Sequence, residues 1–365
     1  MGPRQSGKTT LVRSIFNKYP YVTFEDFGIK SLADEDPKGF LLNYKNGVIL
    51  DEVQKVPKLF SYIQTISDER NKPGQFILTG SQNFLLQEKI SQSLAGRVVL
   101  LKLLPLSLAE LKNDKYKFVD MEEAVFKGFY PRLYSQKIAP IDWYPSYIQT
   151  YVERDVRQIK NITDLTTFQK FLKLCAGRIG QLLNLSSLAN ECGINHNTAK
   201  SWISVLEASF MIFLLQPHHK NFNKRIVKMP KLYFCDTGIA CSLLGIEEKK
   251  QLATHYLRGG LFENLVISEI VKNRSNKGLE SNCFFWRDKS GREIDCLIER
   301  ADKLIPIEIK ASKTVSKEYF NNLIYWNSIS GNDSKNSFVV YGGDETIKSS
   351  FGSFVNWQNV SSILN

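Results

Sequence analysis

The chain has 365 residues, 43% of them hydrophobic and 23% charged, and a formal net charge of +11. That length supports two or three hydrophobic cores, while its longest apolar runs, at 98–101 and 210–215, fall far below the roughly 20 residues that cross a bilayer. No basic-then-apolar leader stands ahead of the first motif, so the expectation is a cytoplasmic protein with no membrane partner, and the basic balance favours a polyanion. Six cysteines without C-x-x-C spacing read as reduced core thiols, which argues against disulfides and thiolate-bound zinc.

The first motif begins at the second residue: Gly2, Pro3, Arg4, Gln5, Ser6, Gly7, Lys8, Thr9 and Thr10 satisfy G-x-x-x-x-G-K-[ST]. Its glycines let successive backbone N–H groups curl around a β-phosphate. Lys8 reaches the β- and γ-phosphates, and the Thr9 hydroxyl binds magnesium. A helix expected from about Thr9 through Leu11, Val12 and Ile15 adds its positive N-terminal dipole to the same anion site.

Apolar strands then alternate with helical stretches, the pattern of a parallel sheet with crossover helices. A short strand is expected at 21–25, and residues 47–50 form a fully apolar strand ending in Asp51 and Glu52. That position behind a phosphate loop assigns Asp51 to the magnesium ion and Glu52 to polarising the attacking water. The alternative is a pair of acids capping the helix after Pro57. A third strand at 75–79 places Thr79 and Ser81 as candidates for contact with a γ-phosphate, with a simple turn as the other reading. Arg97 precedes an expected last strand at 98–101 and serves either as an arginine finger or as a surface ion-pair partner.

From Pro105 the pattern changes to amphipathic helices at 106–111, 121–127 and 143–159, punctuated by the turn Gly128, Phe129, Tyr130, Pro131. They read as a helical lid. Glu153, Arg154 and Asp155 point to different helix faces and form no catalytic cluster. The stretch 187–206 has helix-turn-helix spacing, with small Ala189, the turn residue Gly193, and Leu188, Cys192, Ile194, Ala199 and Trp202 as the packing set. Asn195, His196, Asn197, Lys200, Ser201 and Ser204 then fall on or near the exposed face of the second helix, within reach of bases or phosphates. Lys220, Lys224, Arg225, Lys228 and Lys231 follow, with no acid across 216–231. This favours DNA contact, the alternative being a winged helix that only packs. His218 and His219 read as surface residues.

The last third opens with an amphipathic helix carrying Glu263 and ending near Lys272, then strands at 283–286, 293–298 and 305–310. A period of two puts Glu308 and Lys310 on one face of the last strand and its isoleucines on the other. With Asp295 on the preceding strand, Asp295 and Glu308 are candidate magnesium ligands, Glu263 approaches from the helix, and Lys310 stabilises negative charge or orients water. This layout is that of the PD-(D/E)xK nuclease fold. The alternative is an ion-paired sheet without nuclease activity.

These motifs together resemble one family, the bacterial and archaeal AAA-type ATPases with a C-terminal domain of unknown function on a restriction-nuclease-like core. The carriers are GPRQSGKTT, VILDEVQ, FILTGSQNF, LAGRV, GFYPRL, YVERDV, LANECGINHNTAKSWISVLEASF, KRIVKMPKLYFCDTGIA, GLFENLV, FFWRD, EIDCLIE and PIEIKAS, in order through nearly the whole chain. The resemblance implies ATP as ligand, magnesium-dependent hydrolysis, and roles for Lys8, Thr9, Asp51 and Glu52. The resulting fold expectation is α/β: a P-loop NTPase core at 1–104, a helical lid at 105–165, a winged helix at 166–235 and a nuclease-like domain at 236–365. Asp236, Thr237 and Gly238 match a signature of the family, and Asp236 reads as a buried structural acid. Family members carry a strand ahead of the phosphate loop, whereas only Met1 precedes Gly2 here. This implies an open slot with unpaired backbone groups beside the nucleotide site. Oligomeric state is left open.

Overall fold

The computed structural model describes residues 1–80, 93–113, 116–152, 162, 164–218, 227–301 and 303–364. The chain divides into two compact units, Met1–Pro105 with Ala208–Phe210, and Leu106–Glu207 with Met211–Asn365. No helix among the described residues is long and apolar enough to cross a membrane.

In the first unit the described elements are α1 (Lys8–Ile15), β1 (Tyr21–Thr23), α2 (Phe27–Glu35), α3 (Pro37–Leu42), β2 (Val48–Asp51), α4 (Leu59–Arg70) and β3 (Phe76–Leu78). The strands form a parallel sheet in the order β1-β2-β3, with Thr23 level with Asp51 and Leu50 level with Leu78. β2 is buried along its whole length, as a central parallel strand covered on both faces must be. Val48, Leu50, Leu59, Phe60 and Ile63 share its core. Helix starts are set locally: Asp26 accepts from Ile29 N, and Asp36 accepts from Gly39 N ahead of Pro37 in the first turn of α3. The strand expected at 98–101 is not formed. Met1 N donates to Leu101 O at 2.7 Å and Leu103 N to Met1 O at 2.8 Å, a ladder one residue long, and Val99 is 82% exposed.

The second unit begins with α5 (Leu108–Asn113), α6 (Met121–Lys127), α7 (Pro131–Ser135) and α8 (Pro140–Thr150). Then come α9 (Leu165–Ala176), α10 (Leu185–Cys192), α11 (His196–Ala208), β4 (Ile212–Leu215), β5 (Lys231–Phe234), α12 (Thr237–Leu243) and α13 (Lys249–Leu252). Last are α14 (Arg258–Asn276), β6 (Cys283–Arg287), β7 (Glu293–Arg300), β8 (Lys303–Lys310), α15 (Asn321–Ser330), β9 (Phe338–Tyr341), β10 (Ile347–Ser349) and β11 (Gly352–Asn356). The six-stranded sheet runs β10-β11-β9-β8-β7-β6 and is mixed: β8, β9 and β11 are parallel neighbours, and β6-β7-β8 is an antiparallel meander. Its two faces belong to different cores. Leu261, Leu265 and Ile270 of α14 join Ile307 and Ile309 in one cluster, while Leu323 and Trp326 of α15 join Leu297 and Val339 in the other.

The first of these clusters also contains Val125 and Tyr144 of the helical segment and Ala199 and Trp202 of α11. The helical segment, the α10–α11 pair and the sheet therefore share one apolar core. Asp236 shows how they are joined. It is 1% exposed, and its carboxylate accepts from Phe129 N at 2.6 Å, Tyr144 Oη at 2.7 Å and Ile239 N at 3.2 Å. It thus caps α12 and holds the Gly128–Pro131 turn and α8 to it. Burial pushes the Asp236 carboxyl up, against the pull of Tyr144 and Lys272. A Cβ on Gly238 would stand 2.2 Å from the Tyr144 ring, so this contact requires glycine.

Candidate functional site

The phosphate loop closes on itself. Gln5 and Gly7 lie in the left-handed region at φ 59° and 92°, the backbone alternation from which anion nests are built. Gly7 is also the residue ahead of α1, which starts at Lys8. Lys8 Nζ donates to the carbonyls of Gly2 at 2.9 Å and Pro3 at 2.6 Å, folded over the mouth of the loop. The Ser6 hydroxyl is buried and has no hydrogen-bond partner among the described residues.

Asp51, 7% exposed at the end of β2, is the centre of a ring of hydroxyls. Thr9 Oγ1 lies 3.2 Å from Oδ2, Tyr21 Oη donates to Oδ2 at 2.6 Å, and Thr79 Oγ1 donates to Oδ1. Thr79 follows Leu78, which is level with Leu50, while Tyr21 is level with Ile49, two residues before Asp51, and its long side chain reaches the carboxylate along the sheet. Burial, then the hydrogen bond and charge of Asp51, push the Tyr21 phenol up to about 12. Glu52, next to it, is held at φ 55°, a left-handed conformation that costs a non-glycine residue about 1–3 kcal/mol and is concentrated at functional sites. Gln54 Nε2 donates to Glu52 Oε2 at 2.5 Å. The donor set fits a magnesium nucleotide: Thr9 and Asp51 would hold the metal, which neutralises phosphate charge when bound, and the loop N–H groups and Lys8 would hold the phosphates.

Of the two candidates for contact with a γ-phosphate, Thr79 donates to Asp51, and Ser81 lies outside the described residues. Arg97 Nε and Nη2 grip Asp68 Oδ1 and Oδ2 at 2.6 and 3.0 Å, the kind of surface ion pair that was one of its two expected roles.

In the second unit, α10 and α11 are joined by a turn in which Gly193 adopts φ 79°. Trp202 packs edge-on to Phe168 and Phe171 of α9. His196, Asn197, Lys200 and Ser204 are exposed at helical spacing along one stripe. Asn195 is occupied in capping, accepting from Thr198 N at 2.7 Å. Lys220, Lys224 and Arg225 lie outside the described residues, as do Glu153, Arg154, Asp155 and His219. His218 is buried, against the expectation of a surface residue, with its ring 5.5 Å from that of Phe284.

Lys231 is the larger correction. It does not extend a basic surface tract but is 3% exposed, ion-paired with Glu263 Oε1 at 2.9 Å and with Glu293 Oε1. Carboxylate oxygens of Glu263, Glu293 and Asp295 lie within 4.8 Å of one another. Tyr233, two residues along β5, donates to Glu263 Oε1 at 2.5 Å. Arg287 Nη1 pairs with Glu293 Oε2 at 3.1 Å, and Asp295 Oδ2 accepts from Ile309 N at 2.8 Å. Burial draws the Lys231 ammonium down, but Glu263, Asp295 and Glu293 together outweigh it and hold it above the ordinary lysine range. Burial pushes Glu263 up to about 7 in spite of Lys231.

Asp295 links this group to the expected E-x-K pair. Lys310 Nζ lies 2.7 Å from Glu308 Oε2 and 3.8 Å from Asp295 Oδ2. Glu308 is 1% exposed, and its Oε1 has no hydrogen-bond partner among the described residues. Burial and the charge of Asp295 push Glu308 up to about 8, against the opposing pull of Lys310. Asp295, Glu308 and Lys310 are thus brought together as expected, but Glu263 meets Asp295 beside Glu293 and Lys231, neither of which the spacing marked as a site residue. The signal available was the alternation in Lys231-Leu232-Tyr233-Phe234, which puts the two polar side chains on one face.

Comparison with known proteins matches three segments of the chain. Residues 1–112 match a family model described as an AAA domain. Residues 119–250 and 258–360 match models described as domains of unknown function, DUF8612 and DUF4143. An uncharacterized protein of Mycobacterium tuberculosis is 28% identical over 316 residues, spanning 86% of this chain and 70% of the relative. An uncharacterized protein of Methanocaldococcus jannaschii is 25% identical over 378 residues, with 88% and 77% covered. One of Haemophilus influenzae is 20% identical over 354 residues, with 89% and 84% covered. The N-terminal region is therefore similar to an AAA-type ATPase domain, and the C-terminal region to a domain whose function is unknown.

Proposed function

We propose that the protein is a magnesium-dependent ATPase whose turnover serves a DNA-directed second unit. The observation that carries this reading is the Asp51 centre: a carboxylate beside a phosphate loop, surrounded by the hydroxyls of Thr9, Tyr21 and Thr79. Hydroxyls orient a carboxylate without neutralising it, so its charge stays available to a cation. Lys8 leaves the carbonyls of Gly2 and Pro3 to meet phosphate oxygens, a charge-assisted exchange that phosphate binding favours. Glu52, set by its left-handed backbone and by Gln54, polarises the attacking water and takes up its proton. The exposed stripe of His196, Asn197, Lys200 and Ser204 supports DNA contact by α11.

A second reading has its own support. The buried carboxylate of Glu308, with Asp295 and Lys310 beside it, suits a metal-dependent phosphodiesterase site. Parallel assays separate the two. Phosphate release from ATP should fall at least 100-fold in Lys8→Ala and Glu52→Gln, with Glu52→Gln still binding nucleotide. Metal-dependent DNA cleavage abolished by Lys310→Ala would install the second reading, and unaltered phosphate release in Lys8→Ala would remove the first.

A further inference from the structure

The three carboxylates of Glu263, Glu293 and Asp295 have the ligand spacing of a hard divalent cation, whose oxygen ligands at about 2.0–2.6 Å stand no more than about 5 Å apart. An ammonium group already stands among them. We propose that Lys231 is the resident cation of this triad, closing it to metal ions and pinning the β4–β5 hairpin to the sheet.

The surroundings are those of a filled site. Each carboxylate has a protein partner besides the shared charge of Lys231: Tyr233 Oη on Glu263 Oε1, the oxygen that Lys231 also binds, Arg287 on Glu293, and Ile309 N with the more distant Lys310 on Asp295. Lys231 binds one oxygen of Glu293 while Arg287 binds the other, so that carboxylate is saturated by cations on both sides. An ammonium and a metal ion cannot occupy the same oxygen cage, since like charges at that separation repel strongly in a buried setting. The contacts also explain a connection in the fold. Lys231 and Tyr233 belong to β5, which follows the helix-turn-helix, whereas Glu263 belongs to α14 and Glu293 to β7 of the sheet. The same attachment continues in backbone bonds from Phe285 N to Gln216 O at 3.1 Å and from His218 N to Phe285 O at 2.7 Å. Metal uptake by the triad and seating of the hairpin therefore exclude each other, because both draw on the charge of the same carboxylates.

The test is manganese binding to the full chain without nucleotide, by calorimetry and by the paramagnetic resonance of the free ion. Wild type should take up no ion that depends on Glu293. Lys231→Met should gain one, at least tenfold tighter than any such binding in wild type and lost again in Lys231→Met/Glu293→Gln. Manganese should also raise the melting temperature of Lys231→Met but not that of wild type. Lys231→Arg, which keeps a cation in place, should gain no ion. If Lys231→Met folds only with help, refolding in manganese should restore it where sodium at equal ionic strength does not. Glu293-dependent uptake by wild type or by Lys231→Arg, or a folded Lys231→Met that gains none, would overturn the proposal. So would a Lys231→Met that manganese fails to refold.

Discussion

Asp51, at the end of β2, and the Glu263–Glu293–Asp295 triad, drawn from α14 and β7, are both buried or half-buried acids, yet their neighbours differ in kind. Asp51 is held by three hydroxyls, and no ammonium or guanidinium pairs with it among the described residues. The triad also has neutral donors, Tyr233 Oη and Ile309 N, but it adds two paired cations, Lys231 and Arg287, with Lys310 at its edge. Neutral donors fix a carboxylate and leave its charge to act on a ligand, whereas cationic donors consume that charge in holding the fold together. On the proposed reading, partner type separates a centre that takes a transient cation from one that supplies its own.

That contrast has opposite consequences for mutation. Asp51→Asn keeps the shape of its hydrogen-bond ring and removes only the charge, so phosphate release should fall by about three orders of magnitude with little change in melting temperature. Lys231→Met leaves buried carboxylates without their counter-ion, at a cost of about 3–5 kcal/mol, while ATP turnover per folded molecule is retained. Urea unfolding and phosphate release measured on both variants would collapse the distinction if Asp51→Asn proved the less stable protein.

The second comparison is with pH. Glu308 and Glu263 are pushed up to about 8 and about 7 from an ordinary 4.5, so the folded chain holds these protons more tightly than the unfolded chain. Their contribution to stability is complete below the ordinary glutamate range and is lost as pH rises towards those folded values. Unfolding of the second unit should therefore become easier between pH 5 and pH 8. Glu308→Gln should flatten that slope and stabilise the unit at pH 8 by about 1–3 kcal/mol. A slope identical to wild type in this variant would show that burial of Glu308 is not what the sheet tolerates at neutral pH.

What was legible in the sequence follows from the range of the interactions. The phosphate loop, α1, the acids ending β2 and the alternation in β8 are local patterns, and each falls where a turn or strand period puts it. Asp236 was also readable as a buried acid, although the chain neighbours could not name Phe129 and Tyr144 as its partners. The triad was not readable as a unit. Lys231 stands in a basic tract that looks like a surface, and only the packing of β5 against α14 and β7 turns it inward. Glu293 is brought beside Glu263 by tertiary placement, in a strand pair whose register shifts between Phe284 and Trp286, and such a shift breaks the simple period of two. The failed strand at 98–101 shows the converse error: an apolar run supplies strand propensity, but a strand exists only where a neighbour continues its ladder.

The smallest expected effect probes the hydroxyl ring itself. Tyr21 Oη is one of the donors to Asp51 Oδ2, at 2.6 Å, and Thr9 Oγ1 shares that oxygen at 3.2 Å. Tyr21→Phe removes a single donor and leaves the ring stacked beneath the Arg13 guanidinium, 4.8 Å from its centre. Asp51 keeps Thr9 and Thr79, so its position should hold and its charge should be less screened by hydrogen bonding. Lost orientation and gained charge availability oppose each other, and a hydrogen bond to a charged group contributes about 1.5–3 kcal/mol only when nothing replaces it. The net change in phosphate release should stay within about fivefold, against the roughly thousandfold loss in Asp51→Asn. It should appear in the magnesium concentration needed for half-maximal rate before it appears in the maximal rate. A loss in Tyr21→Phe as large as that in Asp51→Asn would mean that the hydroxyls do more than orient, and the division between oriented and neutralised carboxylates would fail at the centre that defines it.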